Sequence, residues 1–151
     1  MSNQKVKSVI SNEKFILIYT IFIYRFYNNQ KKYSGWTYFD VTGRYYKYME
    51  RRFWPEGHLA TWYEANIGCS FEDAKLTEIL SSKENDFVRK LIPDRAWIGG
   101  SLSRMFGTWT WTAYGRWNFT SWAPNEPSGN GERHLEMGRD GLWNDNGYKH
   151  S

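Results

Sequence analysis

The chain has 151 residues, a length that suits one domain, and 40% of them are hydrophobic, which is enough for a packed core. The net charge is +4, and its basic excess lies before residue 60, where ten Lys or Arg stand against four Asp or Glu, whereas the remainder carries ten against twelve. A basic surface on the folded body, which nucleic-acid binding would need, is therefore not indicated.

A leader-like segment opens the chain. Residues 15–24 form an unbroken apolar and aromatic run, FILIYTIFIY, preceded by Lys5, Lys7 and Lys14. The run has the length of a signal-peptide core and is short for a membrane span, which needs about 20 apolar residues. We therefore predict a signal-like or signal-anchor leader and linker over residues 1–34. The protein would then be extracellular, either secreted or anchored through this leader alone. A strand or buried helix of the domain is the alternative.

Two helices with capped starts are predicted in the middle of the chain. Thr61–Glu64 and Ser81–Glu84 each place a hydroxyl residue three positions before a glutamate, which is the pattern of a capping box. Pro93 ends the second helix, because proline removes a backbone donor. Short strands on either side of a Thr42-Gly43 turn precede the helices.

Strands and one long loop follow Pro93. Alternation and flanking glycines predict strands at Ala96–Ile98 and Thr108–Thr112. Residues 113–141 are rich in Gly, Pro, Asn and Ser and have no periodicity, and loops of this length usually have a functional reason. A last short strand is predicted at Leu142–Trp143.

Five side chains that carry oxygen atoms lie in the long loop and just after it. Calcium takes six to eight oxygen ligands, so such a group could converge around one ion. A cis bond at Pro127 would direct the neighbouring carboxylate inward. On spacing alone, ordinary polar loop residues remain the better explanation. The five residues are Glu126, Ser128, Glu132, Asn144 and Asp145.

An ordered series of motifs resembles the C-type lectin-like domain. AWIGG at 96–100 and LWND at 142–145 are the most specific, and FTSWAPNEPS at 119–128 stands between them in the family's order. The resemblance covers residues 35–145. It implies an α+β fold in which two helices flank small antiparallel sheets and a long loop region holds the ligand. It also implies a binding domain over residues 35–151 rather than an enzyme.

The same resemblance implies a ligand. In the family, calcium held by the loop and the WND segment binds two adjacent sugar hydroxyls, so carbohydrate is the expected partner and calcium the expected cofactor. The EPS sequence is a variant of the family's EPN motif, which implies mannose- or fucose-type sugars. Ser128 lacks the amide donor, and each lost ligand or hydrogen bond should cost about 1–3 kcal/mol. The implied calcium and carbohydrate ligands are Glu126, Ser128, Glu132, Asn144 and Asp145.

The chain departs from the family in its cysteines and in its last strand, which hold the ends of the domain together in the family. The family pairs a cysteine at the Cys69 position with one near the end of the domain, and its second pair would fall at His134 and Tyr148. Losing a native disulfide typically costs about 2–5 kcal/mol. The family's final strand is also missing from the sequence pattern, which would expose an edge of the first sheet. Residues 1–27 are rich in β-formers and offer one cover for that edge.

Other functions stay open at this point. A lectin-like domain without sugar binding would act in protein contacts, or would be non-functional through loss of the disulfides and the last strand. A glycosidase using Glu126 and Glu132 is less favoured, because no nucleophile or phosphate-binding motif accompanies them. Asn118 begins a glycosylation sequon, which is usable only in a secreted chain.

Overall fold

The described part of the chain forms two small sheets and two helices, as a computed structural model shows. It comprises residues 8–10 (main chain only), 35–49, 60–113 and 115–147. The arrangement confirms the predicted α+β class. In chain order the elements are β1 Ser8–Ile10, β2 Thr37–Phe39, β3 Arg44–Tyr48, α1 Trp62–Phe71, β4 Lys75–Leu76, α2 Ser82–Arg89, β5 Arg95–Leu102, β6 Trp109–Trp111, β7 His134–Gly138 and β8 Trp143–Asn146.

Helix α1 begins as its capping box predicts. The Thr61 hydroxyl accepts the Glu64 N–H at 3.2 Å, and the Glu64 carboxylate accepts the Thr61 N–H at 2.8 Å. These two bonds satisfy donors that the first helical turn leaves free. Trp62 and Cys69 lie on the buried face, and the Trp62 indole donates to the Ile98 carbonyl at 2.8 Å. The helix is thereby fixed to β5.

Helix α2 has only half of its predicted capping box. The Ser81 hydroxyl accepts the Glu84 N–H at 3.2 Å, but the Glu84 carboxylate is buried and turned into the protein. There it accepts the Tyr46 hydroxyl at 2.5 Å and the Leu80 N–H at 2.8 Å. The predicted return bond is therefore replaced by tertiary contacts. The helix ends before Pro93, as predicted.

The first sheet has the strand order β2-β3-β1-β4. β2 and β3 are antiparallel, and the turn between them includes Gly43 with a φ of 66°, which favours glycine. β1 lies between β3 and β4 and is parallel to both. It falls inside the segment that we predicted to be a leader. The apolar run at 15–24 lies outside the described residues, so the division of the chain at residue 34 stays a prediction. Neither described helix is long and apolar enough to cross a membrane.

The second sheet is antiparallel, with the order β6-β5-β7-β8. It confirms strands at Ala96–Ile98 and within Thr108–Thr112, and a last strand that extends from Trp143 to Asn146. The boundary expected at Gly99-Gly100 was wrong, because β5 continues through both glycines to Leu102. The loop prediction for residues 113–141 was wrong for β7. Residues 134–137 are all buried, so β7 shows no alternation of polar and apolar residues, although strands covered on one face usually do.

Tryptophan rings fill the space between the second sheet and the long loop. Trp111 and Trp143 are buried, and their rings meet edge to face at 5.6 Å. Trp109, Trp117 and Trp122 pack around them and are only partly buried. Because two of these rings belong to residues 113–141, the long loop is attached to the core through its own side chains.

Non-covalent contacts fill two positions where the family has cysteines. Cys69 is a free, buried thiol that donates to the Ala65 carbonyl at 3.1 Å. The buried His134 ring lies 4.5 Å from the Trp62 ring and 5.1 Å from the Tyr63 ring. Tyr148, the other position of the second pair, lies outside the described residues. Aromatic packing thus stabilises the place where the family has a covalent link.

We expect the stability of the fold to fall between pH 6.5 and pH 4 through His134. Burial lowers the pKa of His134 to about 4, and the charges of Arg104 and Arg133 act in the same direction. The unfolded histidine binds a proton near pH 6.5 while the folded one stays neutral. The contribution of neutral His134 to the free energy of unfolding is therefore complete above pH 6.5, and it decreases by about 3 kcal/mol as the pH falls to 4.

Urea unfolding at pH 7, 5.5 and 4 measures this loss, with His134→Phe as the control because it keeps a ring and removes the titration. The unfolding free energy of the wild type should fall by about 3 kcal/mol more than that of the variant. Equal pH dependence in the two proteins would show that His134 contributes nothing to it.

Candidate functional site

A group of carboxylates forms where the long loop meets β8. Asp145 is buried on β8 and accepts two backbone donors from the loop, the N–H of Ser128 at 2.7 Å and that of Gly129 at 3.0 Å. The Glu126-Pro127 peptide bond before them is cis, and Asn125 has a φ of 67°. Charge-assisted bonds of this kind are about twice as strong as neutral ones, so Asp145 fixes the loop at this point.

Glu126 and Asp145 lie side by side. Both carboxylates accept the same Ser128 N–H, at 2.9 Å and 2.7 Å. The neighbouring Asp145 raises the pKa of Glu126, and desolvation adds to the effect. The largest cause is the side-chain hydrogen bond that a protonated Glu126 shares with Asp145, and the negative charges of Asp145 and Glu132 act in the same direction. Carboxylates this close to each other favour a shared proton or a cation between them.

Ser128 and Glu132 close the other side of the group. The Ser128 hydroxyl donates to the Glu132 carboxylate at 2.7 Å, and the Glu132 N–H donates to the Gly129 carbonyl at 2.8 Å. Three carboxylates from two distant segments therefore lie within hydrogen-bonding distance of Ser128, whose hydroxyl adds a further oxygen to the cluster. The residues brought together are Glu126, Ser128, Glu132 and Asp145.

Asn144 directs its side chain to a different place. Its amide donates to the Glu136 carboxylate at 3.2 Å, and Arg95 donates to the same Glu136 oxygen at 3.2 Å. Successive residues of a strand point to opposite faces, so Asn144 and Asp145 diverge. Asn144, Glu136 and Arg95 line an open cleft of about 710 Å³. The structure thus joins four of the five predicted ligands and leaves Asn144 apart from them.

Glu136 is the residue near the site that sequence reasoning missed. It is paired across the sheet with Asn144, a register that is only visible once β7 is known to be a strand. Its carboxylate is nearly fully buried, and single buried charges carry no periodic signal in a sequence. The segment HLEM at 134–137 resembles the family at this point in its order of motifs, and it is the one indication of that strand in the sequence.

The three neighbouring carboxylates, Glu126, Glu132 and Asp145, are held in place by hydrogen bonds from Ser128 and Gly129. Within the described ranges, no three His, Cys, Asp or Glu side chains are placed so that they could hold a metal ion together. The chemistry of the donors nevertheless suits a hard cation, because carboxylate and hydroxyl oxygens are the ligands calcium prefers. A cation here would have to draw in oxygens that now accept the loop N–H groups.

Asn118 lies on the exposed part of the long loop, as does Thr120 two residues later. A glycosylation site needs this exposure. Modification of Asn118 stays a prediction.

The fold and the loop together define a class of binding domain, and the family can now be named. The profile of the family described as "Lectin C-type domain" matches residues 58–149, more than half of the chain. The chain belongs to the C-type lectin domain family. Members of this family are generally binding proteins without enzymatic activity, so the glycosidase alternative finds no support.

Three similar proteins illustrate the range of the family. Mouse asialoglycoprotein receptor 2 is 38% identical over 105 residues, which is 62% of this chain and 34% of the receptor. The cow C-type carbohydrate-recognition domain of CD23, crystallised in the presence of GlcNAc2Man3 oligosaccharide, is 31% identical with a TM-score of 0.52, over 56% of this chain and 68% of that one. A calcium-independent type II antifreeze protein is 26% identical with a TM-score of 0.56, over 60% and 72%.

The chain spans about half the length, or less, of the curated relatives it matches. The similarity therefore applies to one domain of those proteins. It supports the fold over the matched residues and leaves the ligand to be argued from the residues of this chain.

Proposed function

We propose that this domain binds carbohydrate with the help of calcium held between the long loop and β8. The observation that carries the proposal is the meeting of Glu126, Glu132 and Asp145 around Ser128. These residues come from segments separated by a whole strand. Of the three, only Asp145 is buried, and the close approach of three negative charges has no structural advantage of its own.

The residues of the group have distinct parts in this proposal. Glu126, Glu132 and Asp145 would supply the charge that holds the ion, and the Ser128 hydroxyl would add a neutral oxygen. Asn144 would join them only by exchanging its bond to Glu136 for one to the ion. The bound ion would supply open coordination positions for two adjacent sugar hydroxyls.

Mannose- or fucose-type sugars are the proposed ligand class, because the EPS segment is a variant of EPN. The solved CD23 domain, which is 31% identical, was crystallised in the presence of an oligosaccharide that contains mannose. An extracellular location, secreted or anchored, belongs to the same proposal, since calcium and glycans are met there. Ser128 would weaken the site by about 1–3 kcal/mol relative to an amide at this position.

Calcium should raise the melting temperature of the full chain and allow it to bind mannan resin, from which a chelator should release it. Ser128→Asn should strengthen retention by about tenfold, because a restored ligand or hydrogen bond contributes about 1.4 kcal/mol. Ser82→Asn, at an exposed position at the start of α2, is the matched control and should change nothing. Retention that survives the chelator, or a melting temperature that calcium does not change, would contradict the proposal.

A second candidate is a lectin-like domain that works without calcium, through protein contacts. The bond between Asn144 and Glu136 favours it, because this bond keeps a proposed ligand away from the carboxylate group. The calcium-independent antifreeze protein shows that a similar fold exists without the ion. The same resin experiment separates the two candidates, since the second predicts either no retention on mannan or retention that is indifferent to the chelator.

A further inference from the structure

Strand β1 lies between β3 and β4 in the first sheet, although neither of these strands is next to it in the chain. Ser8 lies opposite Tyr46 on β3 and opposite Lys75 on β4, and Val9 lies opposite Lys47 and Leu76. Both pairings are parallel, so β1 is not joined to either neighbour by a tight turn. The strand has to be inserted between β3 and β4 from a distant part of the chain.

Two of the residues paired with β1 belong to the core. Tyr46 and Leu76 have no exposed surface, and Tyr46 also carries the hydroxyl that donates to Glu84. In the described sheet, β4 is connected to the other strands through β1 alone. Helix α1 packs against β4. Removal of β1 would therefore detach β4 from the sheet and open the core beside Tyr46.

The chain that connects β1 to the rest of the domain allows this insertion. Residues 11–36 separate β1 from β2, and parallel strands need a connection of about a dozen residues or more. The occupant also has the right composition, because Val9 and Ile10 are β-branched residues that favour strands.

We propose that the space between β3 and β4 is a strand-binding slot whose occupant is Ser8–Ile10 of the same chain. Ser8–Ile10 is then a working part of the lectin domain, and its removal with a leader would unfold the first sheet. The slot is a site of β-augmentation, in which main-chain hydrogen bonds to both neighbours hold the inserted strand. This proposal is independent of the calcium site.

Val9→Pro in the full chain tests the slot, because proline cannot donate to a ladder and is excluded from central strands. We expect its melting temperature to fall by about 10 °C. Amides of Tyr46–Tyr48 and Lys75–Leu76 should exchange with solvent much faster than in the wild type. Val9→Thr, which keeps the branched side chain and the N–H, and Asn3→Pro, which places proline outside the strand, should both behave like the wild type.

A peptide of residues 4–14 added to the Val9→Pro protein completes the test. The peptide should restore the melting temperature and the amide protection, whereas the same peptide with proline in place of Val9 should not. If Val9→Pro is unfolded, refolding in the presence of the wild-type peptide gives the same comparison.

Three results would overturn the proposal. The first is a Val9→Pro protein with unchanged melting temperature and exchange. The second is a destabilised Val9→Pro protein that the wild-type peptide does not restore. The third is a wild-type dimer that Val9→Pro converts to a monomer, because the occupant would then come from a second copy.

Discussion

Replacing Arg44 with methionine should lower the free energy of unfolding by about 3–5 kcal/mol, because it leaves two buried carboxylates without their cation. Arg44 donates to Glu78 at 2.9 Å and to Glu84 at 3.3 Å, and these carboxylates are only 5% and 1% exposed. Burial raises the pKa of Glu84 despite its donors. Methionine keeps much of the volume of the arginine stem and none of its charge, so the loss isolates the electrostatic part. Urea denaturation at pH 7 measures it.

Lys47→Met is the matched control for this experiment. Lys47 pairs with Glu72 at 2.9 Å, and both side chains remain partly exposed. Pairs of this kind contribute about 0–1 kcal/mol, so the control should be nearly neutral. If the two variants lose the same stability, the buried network has no special role.

The hydrogen bonds that connect Arg44, Glu78 and Glu84 also extend to the long loop. Glu78, which accepts from Arg44, also accepts the N–H of Gly115 at 2.9 Å, at the beginning of the long loop. Loss of Arg44 should therefore loosen the loop at its base as well as the core. The stability of the first sheet and the order of the candidate site are connected through one buried carboxylate.

Asp145→Ala should abolish calcium-dependent retention on mannan and also lower the free energy of unfolding by about 3–5 kcal/mol. The second effect follows because Asp145 accepts the N–H groups of both Ser128 and Gly129, and each bond to a buried charged group contributes about 1.5–3 kcal/mol. Calorimetry with and without calcium, together with the resin assay, measures both effects on the same protein.

Glu132→Ala separates the role in ligand binding from the role in folding. Glu132 belongs to the same group but is less buried and accepts only the Ser128 hydroxyl among the bonds described above. Its loss should change stability by less than about 1 kcal/mol and still remove the response to calcium. An Asp145→Ala protein that is retained on mannan in calcium and released by a chelator would refute the assignment of Asp145.

The helices could be predicted because their signals are local. A cap needs residues that lie three positions apart, and both Thr61 and Ser81 accept the predicted N–H. The part of the α2 cap that failed depended on Arg44 and Tyr46, about 40 residues away, which attract the Glu84 carboxylate. Local patterns give the start of a helix correctly and fail where a distant charge competes for the same side chain.

Strands β7 and β1 were not predicted, and the cause differs from that for the helix cap. β7 is buried along its length, so the alternation that reveals a half-buried strand is absent. β1 pairs in parallel with residues about 40 and 65 positions later, and no turn signal marks such a pairing. Neither strand could be recognised without the partner that covers it.

The candidate site was predicted in its composition and only partly in its arrangement. The motifs pointed to five oxygen-bearing side chains as proposed ligands, and the structure gathers Glu126, Ser128, Glu132 and Asp145 from two segments. The direction of Asn144 could not be predicted, because it depends on Glu136, whose burial follows from the missed strand β7. A family resemblance can propose which residues are ligands. The hydrogen-bond partner of each such side chain, however, depends on the individual chain.

The packing of indole rings around Trp143 gives the protein an internal optical reporter. Trp143 is two residues from Asp145, and its ring contacts those of Trp111, Trp117 and Trp122, all within 6.1 Å between centroids. At such separations the rings exchange excitation, and the partly exposed members respond to the surrounding water. Movement of the loop that contains Trp117 and Trp122 therefore changes the intrinsic emission of the unlabelled chain.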